Sequence, residues 1–243
     1  QVSLSTNGLL GKRILDYVLY IRKLGIDVNV LLSLDGDEIL HNEVRGIPDA
    51  YNRCMNTAVL LSKNGIKYVF NLTVSDKTHE MLERLPSDDF KKIKSFTFVH
   101  NKGIYKKNNQ LQYKNILKAL EKIKNEYKPA SFFGLLEKIH IAIAIEFIKN
   151  GLKKNLIPCE VLNSSLHIMA DGEVHSCMFL PSLGNIYGKS IRDIYRSSQA
   201  CLQREVIKKN NCPHCWMACY SQYAIMQHPI KTLCVAGKVL FKK

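Results

Sequence analysis

With 243 residues, 46% of them hydrophobic, the chain can fill a substantial core and is too short for two large domains. Its formal net charge of +14 excludes an acidic surface, and nothing in it reads as a charged and apolar secretory leader, so its eight cysteines are expected as thiols of a cytoplasmic protein rather than disulfides.

In chain order, Gln1 to Asn7 reads as a strand ending in Thr6-Asn7-Gly8. Leu10 to Leu24 repeats apolar residues at intervals of three and four (Leu10, Ile14, Leu15, Val18, Ile21), which predicts a helix, and Gly25 stops it. Ile26 to Ser33 is a second strand, running into Leu34-Asp35-Gly36; Ala50 to Lys63 is a second helix, stopped by Gly65. Lys67 to Ser75 is a third strand, Asp76 to Leu85 a shorter helix, and Ile93 to Val99 a fourth strand. Strands alternating with helices imply a parallel sheet, either a barrel or a doubly wound architecture. Such sheets carry their chemistry beyond the carboxyl ends of the strands, where this chain places Asn7, Ser33 with Asp35, Ser75, and His100 with Asn101. Each is ordinary turn chemistry when taken alone, but polar residues recur after every strand.

From Lys91 to Lys128 the chain carries eleven lysines and no arginine. Tyr105, Tyr113 and Tyr127 offer rings for stacking, yet without arginine forks the stretch reads as a solvated basic face rather than a nucleic-acid reader. Leu135 to Ile148 is apolar on almost every side and predicts a buried helix joining two parts of the chain. It is too short to span a bilayer and is interrupted by Glu137, Lys138, His140 and Glu146, with His140 read as a core histidine. A boundary at Asn150 to Pro158 gives a first part of residues 1–150 and a second of 151–243.

The second part holds the cysteine pattern. Cys159-x12-Gly172-x4-Cys177 offers two thiolates from one hairpin turned at Asp171-Gly172, and Cys212-Pro-His-Cys215-Trp-Met-Ala-Cys219 offers three from a turn running into a helix. Together they can surround one metal centre. Spacing alone leaves zinc and an iron-sulfur cluster both open. Cys54 and Cys201 read as buried thiols, Cys234 as relevant only to a second cluster, and Trp216 as a core residue beside the hairpin.

Thr6-Asn7-Gly8, Ser33-Leu34-Asp35-Gly36 and His41-Asn42-Glu43-Val44-Arg45-Gly46, each following a strand in this order, resemble the middle of a radical S-adenosylmethionine (SAM) enzyme barrel. The cysteine-rich tail resembles the SPASM or twitch extension of that superfamily, and Gly184-Asn185-Ile186 before Ile191-Arg192-Asp193-Ile194-Tyr195 is similar to the stretch joining its two cysteine groups. The resemblance implies an α/β fold: a partial (βα) TIM-like barrel of about four strand-helix units with a small C-terminal twitch/SPASM domain. One feature departs from it. The Cys-x3-Cys-x2-Cys that holds the superfamily's catalytic [4Fe-4S] cluster is not in the sequence, which implies that the complete protein carries it roughly 60 to 110 residues before Gln1, the span of about two further units.

The resemblance further implies that Ser33 and Arg45 contact SAM, at its ribose and its methionine carboxylate, with Asn7 beside them. Asp35 is equally well a turn residue, and His41 a hydrogen-bonded loop histidine. It implies an auxiliary [4Fe-4S] cluster on Cys159, Cys177, Cys212 and Cys215, with Cys219 the alternative fourth ligand. The implied activity is hydrogen abstraction from a peptide or small metabolite, with electrons from a donor such as flavodoxin or ferredoxin. A zinc-stabilised binding module, and a peptide or nucleic-acid binder using the basic face, rank below it.

Overall fold

Strand β2 (Val28–Leu34) buries alternate residues, Val28, Val30, Leu32 and Leu34, as a pleated strand with one covered face must. It lies between β1 (Val2–Thr6) and β3 (Tyr68–Val74), and β4 (Ile93–Phe98) completes the sheet. The computed structural model describes residues 2–84, 93–100 and 111–240. These fall into two compact units, the first from residues up to 99 with 112–128, the second from His100, Leu111 and the residues from Pro129 onward.

In the first unit all three strand pairings are parallel and the order is β1-β2-β3-β4. A doubly wound sheet reverses its order at a switch point, whereas strands taken in sequence form an arc of a barrel. Helices α1 (Gly11–Lys23) and α3 (Ala50–Lys63) fall where periodicity puts them, and Gly25 and Gly65 just beyond them take φ of 76° and 64°. Between β2 and α3 lies α2 (Glu38–Arg45), capped by Asp37, whose carboxylate accepts from the Leu40 N–H, and closed by Gly46 at φ 67°. His41 is therefore a helix residue, not the loop residue expected from sequence. After α4 (Thr78–Arg84) and β4 comes α5 (Tyr113–Glu126). It buries Ile116, Ala119, Leu120 and Ile123, so the described lysines of this stretch that lie on α5 stand on an amphipathic helix. Leu85, Lys91, Asn101 and Tyr105 lie outside the described residues.

The loop after β1 docks tightly on α3. Gly8 has φ 74°, and a Cβ there would meet Cα and Sγ of Cys54 at 3.0 Å; the Thr57 hydroxyl donates to the Gly8 carbonyl at 2.6 Å. Gly65 is equally left-handed but faces open space. Gly8→Ala is therefore expected to cost about 2–5 kcal/mol, left-handed strain plus overpacking, and Gly65→Ala only about 1–2 kcal/mol. Denaturant unfolding of the two variants measures the difference, and equal losses would show that the loop does not need this close approach.

The second unit is built on α6 (Phe132–Lys149), capped by Ser131 and buried along most of its length. Its partners are α9 (Ala218–Gln227) and α10 (Pro229–Leu240). His140 on α6 is a core histidine as expected: its ring stacks on Trp216 with centroids 5.6 Å apart, its Nδ1 bonds the Ser221 hydroxyl at 2.7 Å, and its carbonyl accepts from the indole N–H at 2.9 Å. His100 also belongs to this unit, with its ring centroid 6.4 Å from that of Phe179. A small antiparallel sheet follows, β5 (His167–Ile168), β6 (Glu173–His175) and β7 (Ser182–Asn185), turned at Asp171-Gly172 with Gly172 at φ 83°. Helices α7 (Ile191–Tyr195) and α8 (Ser198–Lys208) pack Ile194, Ala200 and Ile207 into a core with Val161, Leu162, Val174 and Leu183. Among the described residues no helix is long and apolar enough to cross a membrane.

Candidate metal centre

Side-chain to backbone and side-chain to side-chain bonds place the segments that carry Cys177, Cys212 and Cys215. Cys177 follows β6, and that segment is pinned to α8 because the buried Ser176 hydroxyl donates to Gln203 Oε1 at 2.6 Å while Gln203 Nε2 donates to the Pro181 carbonyl at 2.9 Å. Cys212 and Cys215 sit on the segment between α8 and α9. Two residues there, Asn210 at φ 57° and His214 at φ 55°, take the left-handed conformation, curling the chain around the pair. The Cys215 N–H is accepted by Asn155 Oδ1 at 3.1 Å, and the Met178 N–H donates to the Tyr220 hydroxyl at 3.3 Å, linking α9 to the segment after Cys177.

Cys159, Cys177, Cys212 and Cys215 line one pocket, walled by Val161, Phe179, Leu180, Ile207 and Tyr220. Cys219, the alternative fourth ligand, is exposed and does not line it. Cys201 is exposed, contrary to the expectation of a buried thiol: on α8 it falls on the face away from Ala200 and Gln203. Cys234 is exposed on α10, and Cys54 is buried in the first unit. All eight cysteines are unbridged. Among the described residues no three His, Cys, Asp or Glu side chains close to the spacing of a single-ion site; four sulfurs surround a pocket instead.

Burial opposes ionisation of three of these thiols, Cys159, Cys177 and Cys215. Burial pushes Cys159 up to about 11, aided by the neighbouring Cys212 and Cys177 and opposed by the Val161 N–H. Burial also raises Cys177 against the Phe179 and Leu180 N–H groups, and raises Cys215 further, with Cys159 beside it and the Met217 N–H opposing. Cys219 is pushed up to about 11 by desolvation of its thiol. A bound cationic centre reverses this, since it favours thiolate outright, and the backbone N–H groups at three of the sulfurs are then donors to charged ligands. The four thiols, apolar wall and N–H donors fit a thiolate-held cluster. Sequence reading missed Asn155 and Gln203; their only signal is a polar side chain near the cysteine pattern, and the contacts they make span 57 to 60 and 22 to 27 residues.

In the first unit Asp35 is 5% exposed, and its Oδ2 accepts from Arg45 Nε at 2.6 Å. The fully buried His41 accepts the Asp35 N–H at Nδ1, 3.1 Å away. Burial alone would raise the Asp35 carboxyl, but His41 and the Arg45 guanidinium outweigh it and hold it below the usual carboxylate range. Asp35 is thus an ion-pair partner as well as a turn residue. Asn7 Oδ1 accepts the Leu9 N–H at 3.1 Å, and Ser75 makes a similar local turn, its hydroxyl accepting from the Lys77 N–H. The Ser33 hydroxyl makes no hydrogen bond among the described residues, while the Ser33 carbonyl accepts from the Cys54 thiol at 3.8 Å.

Comparisons with known proteins agree with this geometry. Residues 159–220 match the SPASM model, an iron-sulfur cluster-binding domain. No curated protein sequence matches the chain. Among solved structures, the fold is similar to native anSMEcpe with bound AdoMet (17% identity, 98% of this chain and 75% of that one, TM-score 0.55). It is similar also to native anSMEcpe with bound AdoMet and Kp18Cys peptide, and to the same protein with Cp18Cys peptide (each 16% identity, 98% and 76% coverage, TM-score 0.56). Residues 159–220 thus match an iron-sulfur cluster-binding domain, in a chain whose fold is similar to that of anSMEcpe.

Proposed function

We propose that this chain belongs to a radical SAM enzyme acting on a peptide substrate, with an auxiliary [4Fe-4S] cluster held by Cys159, Cys177, Cys212 and Cys215. The observation that carries the reading is the convergence of these four thiols on one pocket inside the segment that matches the iron-sulfur domain. Bound peptides in two structures of similar fold support the substrate class. A reducing cytoplasm suits exposed and cluster-forming thiols alike, and a small donor such as flavodoxin or ferredoxin is the expected source of electrons.

The chemistry proposed for the whole enzyme would be one-electron cleavage of SAM and hydrogen abstraction from substrate, supplied by a [4Fe-4S] cluster for which this sequence contains no Cys-x3-Cys-x2-Cys. The role proposed for the first unit is to bind and orient SAM. Ser33 offers an unengaged hydroxyl beside the end of β2, suited to a ribose. Arg45 is tethered through Nε to Asp35, which leaves its two terminal amino groups for a carboxylate. Asn7, at the end of the neighbouring strand, completes the contact. In the second unit the four thiolates hold the auxiliary cluster, and the apolar walls exclude water from it.

Anaerobic reconstitution of this chain with iron and sulfide tests the reading. About four irons and four sulfides per chain, with a brown colour, are expected of one cluster on four thiolates. Stoichiometric zinc without sulfide would overturn it.

A further inference from the structure

Asn155 lies in the segment between α6 and Cys159, is only 9% exposed, and lines the pocket of the four thiols. Its side chain makes two contacts with the Cys212–Cys215 segment: Oδ1 accepts the Cys215 N–H at 3.1 Å, and Nδ2 lies 3.7 Å from Cys212 Sγ. The first contact fixes the second. Turning the amide over would set its N–H₂ against the Cys215 N–H, two donors face to face, so a backbone group holds Nδ2 toward the sulfur. The other side-chain hydrogen-bonding group at that sulfur among the described residues is His214 Nδ1, farther off at 3.9 Å and a donor in only some of its protonation states. The amide N–H₂ donates in all of them.

On the reading that Cys212 ligates the auxiliary cluster, we propose that Asn155 is a positioning residue that clamps the Cys212–Cys215 segment and sets the cluster's reduction potential through an Nδ2–H···Sγ hydrogen bond. One-electron reduction adds negative charge that is shared with the ligand sulfurs, so a donor fixed on one of them strengthens its bond in the reduced state and raises the potential. The apolar surroundings leave little water to replace that donor.

The test uses the reconstituted full chain, with asparagine labelled with ¹⁵N at the side-chain amide, and the Asn155→Ala variant. In the wild type the reduced cluster is expected to show hyperfine coupling to an amide ¹⁵N. In Asn155→Ala that coupling should vanish, iron content should stay near four, and the equilibrium constant for reduction should fall roughly tenfold, about 59 mV in the negative direction for one electron. A variant that keeps its iron and its potential would overturn the proposal, since a purely structural clamp leaves the potential unmoved. Should the variant lose its iron, the wild-type spectrum alone decides, because absence of amide coupling refutes the hydrogen bond. A wild type that takes up no iron and sulfide fails the ligand assignment itself, a separate outcome, and the proposal falls with it.

Discussion

Cys177→Ala or Cys212→Ala is expected to take the reconstituted chain from about four irons to nearly none, while Cys54→Ala keeps them all. The first two residues line the four-thiol pocket from different segments, one after β6 and one between α8 and α9, whereas Cys54 is buried in the other unit. Losing one thiolate opens an iron to solvent and removes one of the cross-links that the cluster makes between the two segments, so cluster and local order go together. Cys219→Ala sharpens the test. Because Cys219 does not line the pocket, its replacement should leave the iron in place where Cys215→Ala does not. Iron and sulfide analysis with visible absorbance measures all five variants, and equal losses across them would show that the ligands are misassigned.

The second large effect is expected at Arg45. Arg45→Ala removes the cation from a carboxylate that is 5% exposed, so the first unit should lose about 1–3 kcal/mol, less than a fully buried pair would because the Arg45 side chain is 27% exposed. It also removes the fork proposed to hold the methionine carboxylate. A charge-assisted contact of about 1.5–3 kcal/mol corresponds to a tenfold to hundredfold weaker SAM affinity. Arg45→Lys separates the two roles: a lysine can still face Asp35 and recover stability, but it cannot bond Asp35 and present a planar fork together. Calorimetric SAM titration beside thermal unfolding reads both quantities, with the iron of the auxiliary cluster unchanged throughout. Normal SAM affinity in folded Arg45→Ala would retire the assignment.

The sequence by itself determined what depends on neighbours along the chain. Alternating apolar residues in β2, helical repeats in α1 and α3, and glycines just past those helices specify each element within a few residues of where it lies, because side-chain period and left-handed stops are local properties. The Asp171-Gly172 turn and the Cys-x2-Cys spacing are local in the same sense, so the cysteine pattern was legible as a metal centre. In the first unit two helices escaped that reading. In α2 only Leu40 and His41 are buried, too few to show a period, and in α5 the lysines mask the Ile116, Ala119, Leu120, Ile123 stripe.

Tertiary structure separates the thiols. Spacing allowed five, and packing of the loop between α8 and α9 places Cys212 and Cys215 on one pocket with Cys159 and Cys177, a lining in which Cys219 has no part. The same holds for Asn155, 60 residues from the Cys215 N–H it accepts, and for Arg45, whose bond to Asp35 depends on α2 folding back over the end of β2. Such contacts join groups that are far apart in the chain or that face each other only after an intervening element has formed. No periodicity encodes them: they exist because close packing brings together buried donors, acceptors and charges that would otherwise lack partners.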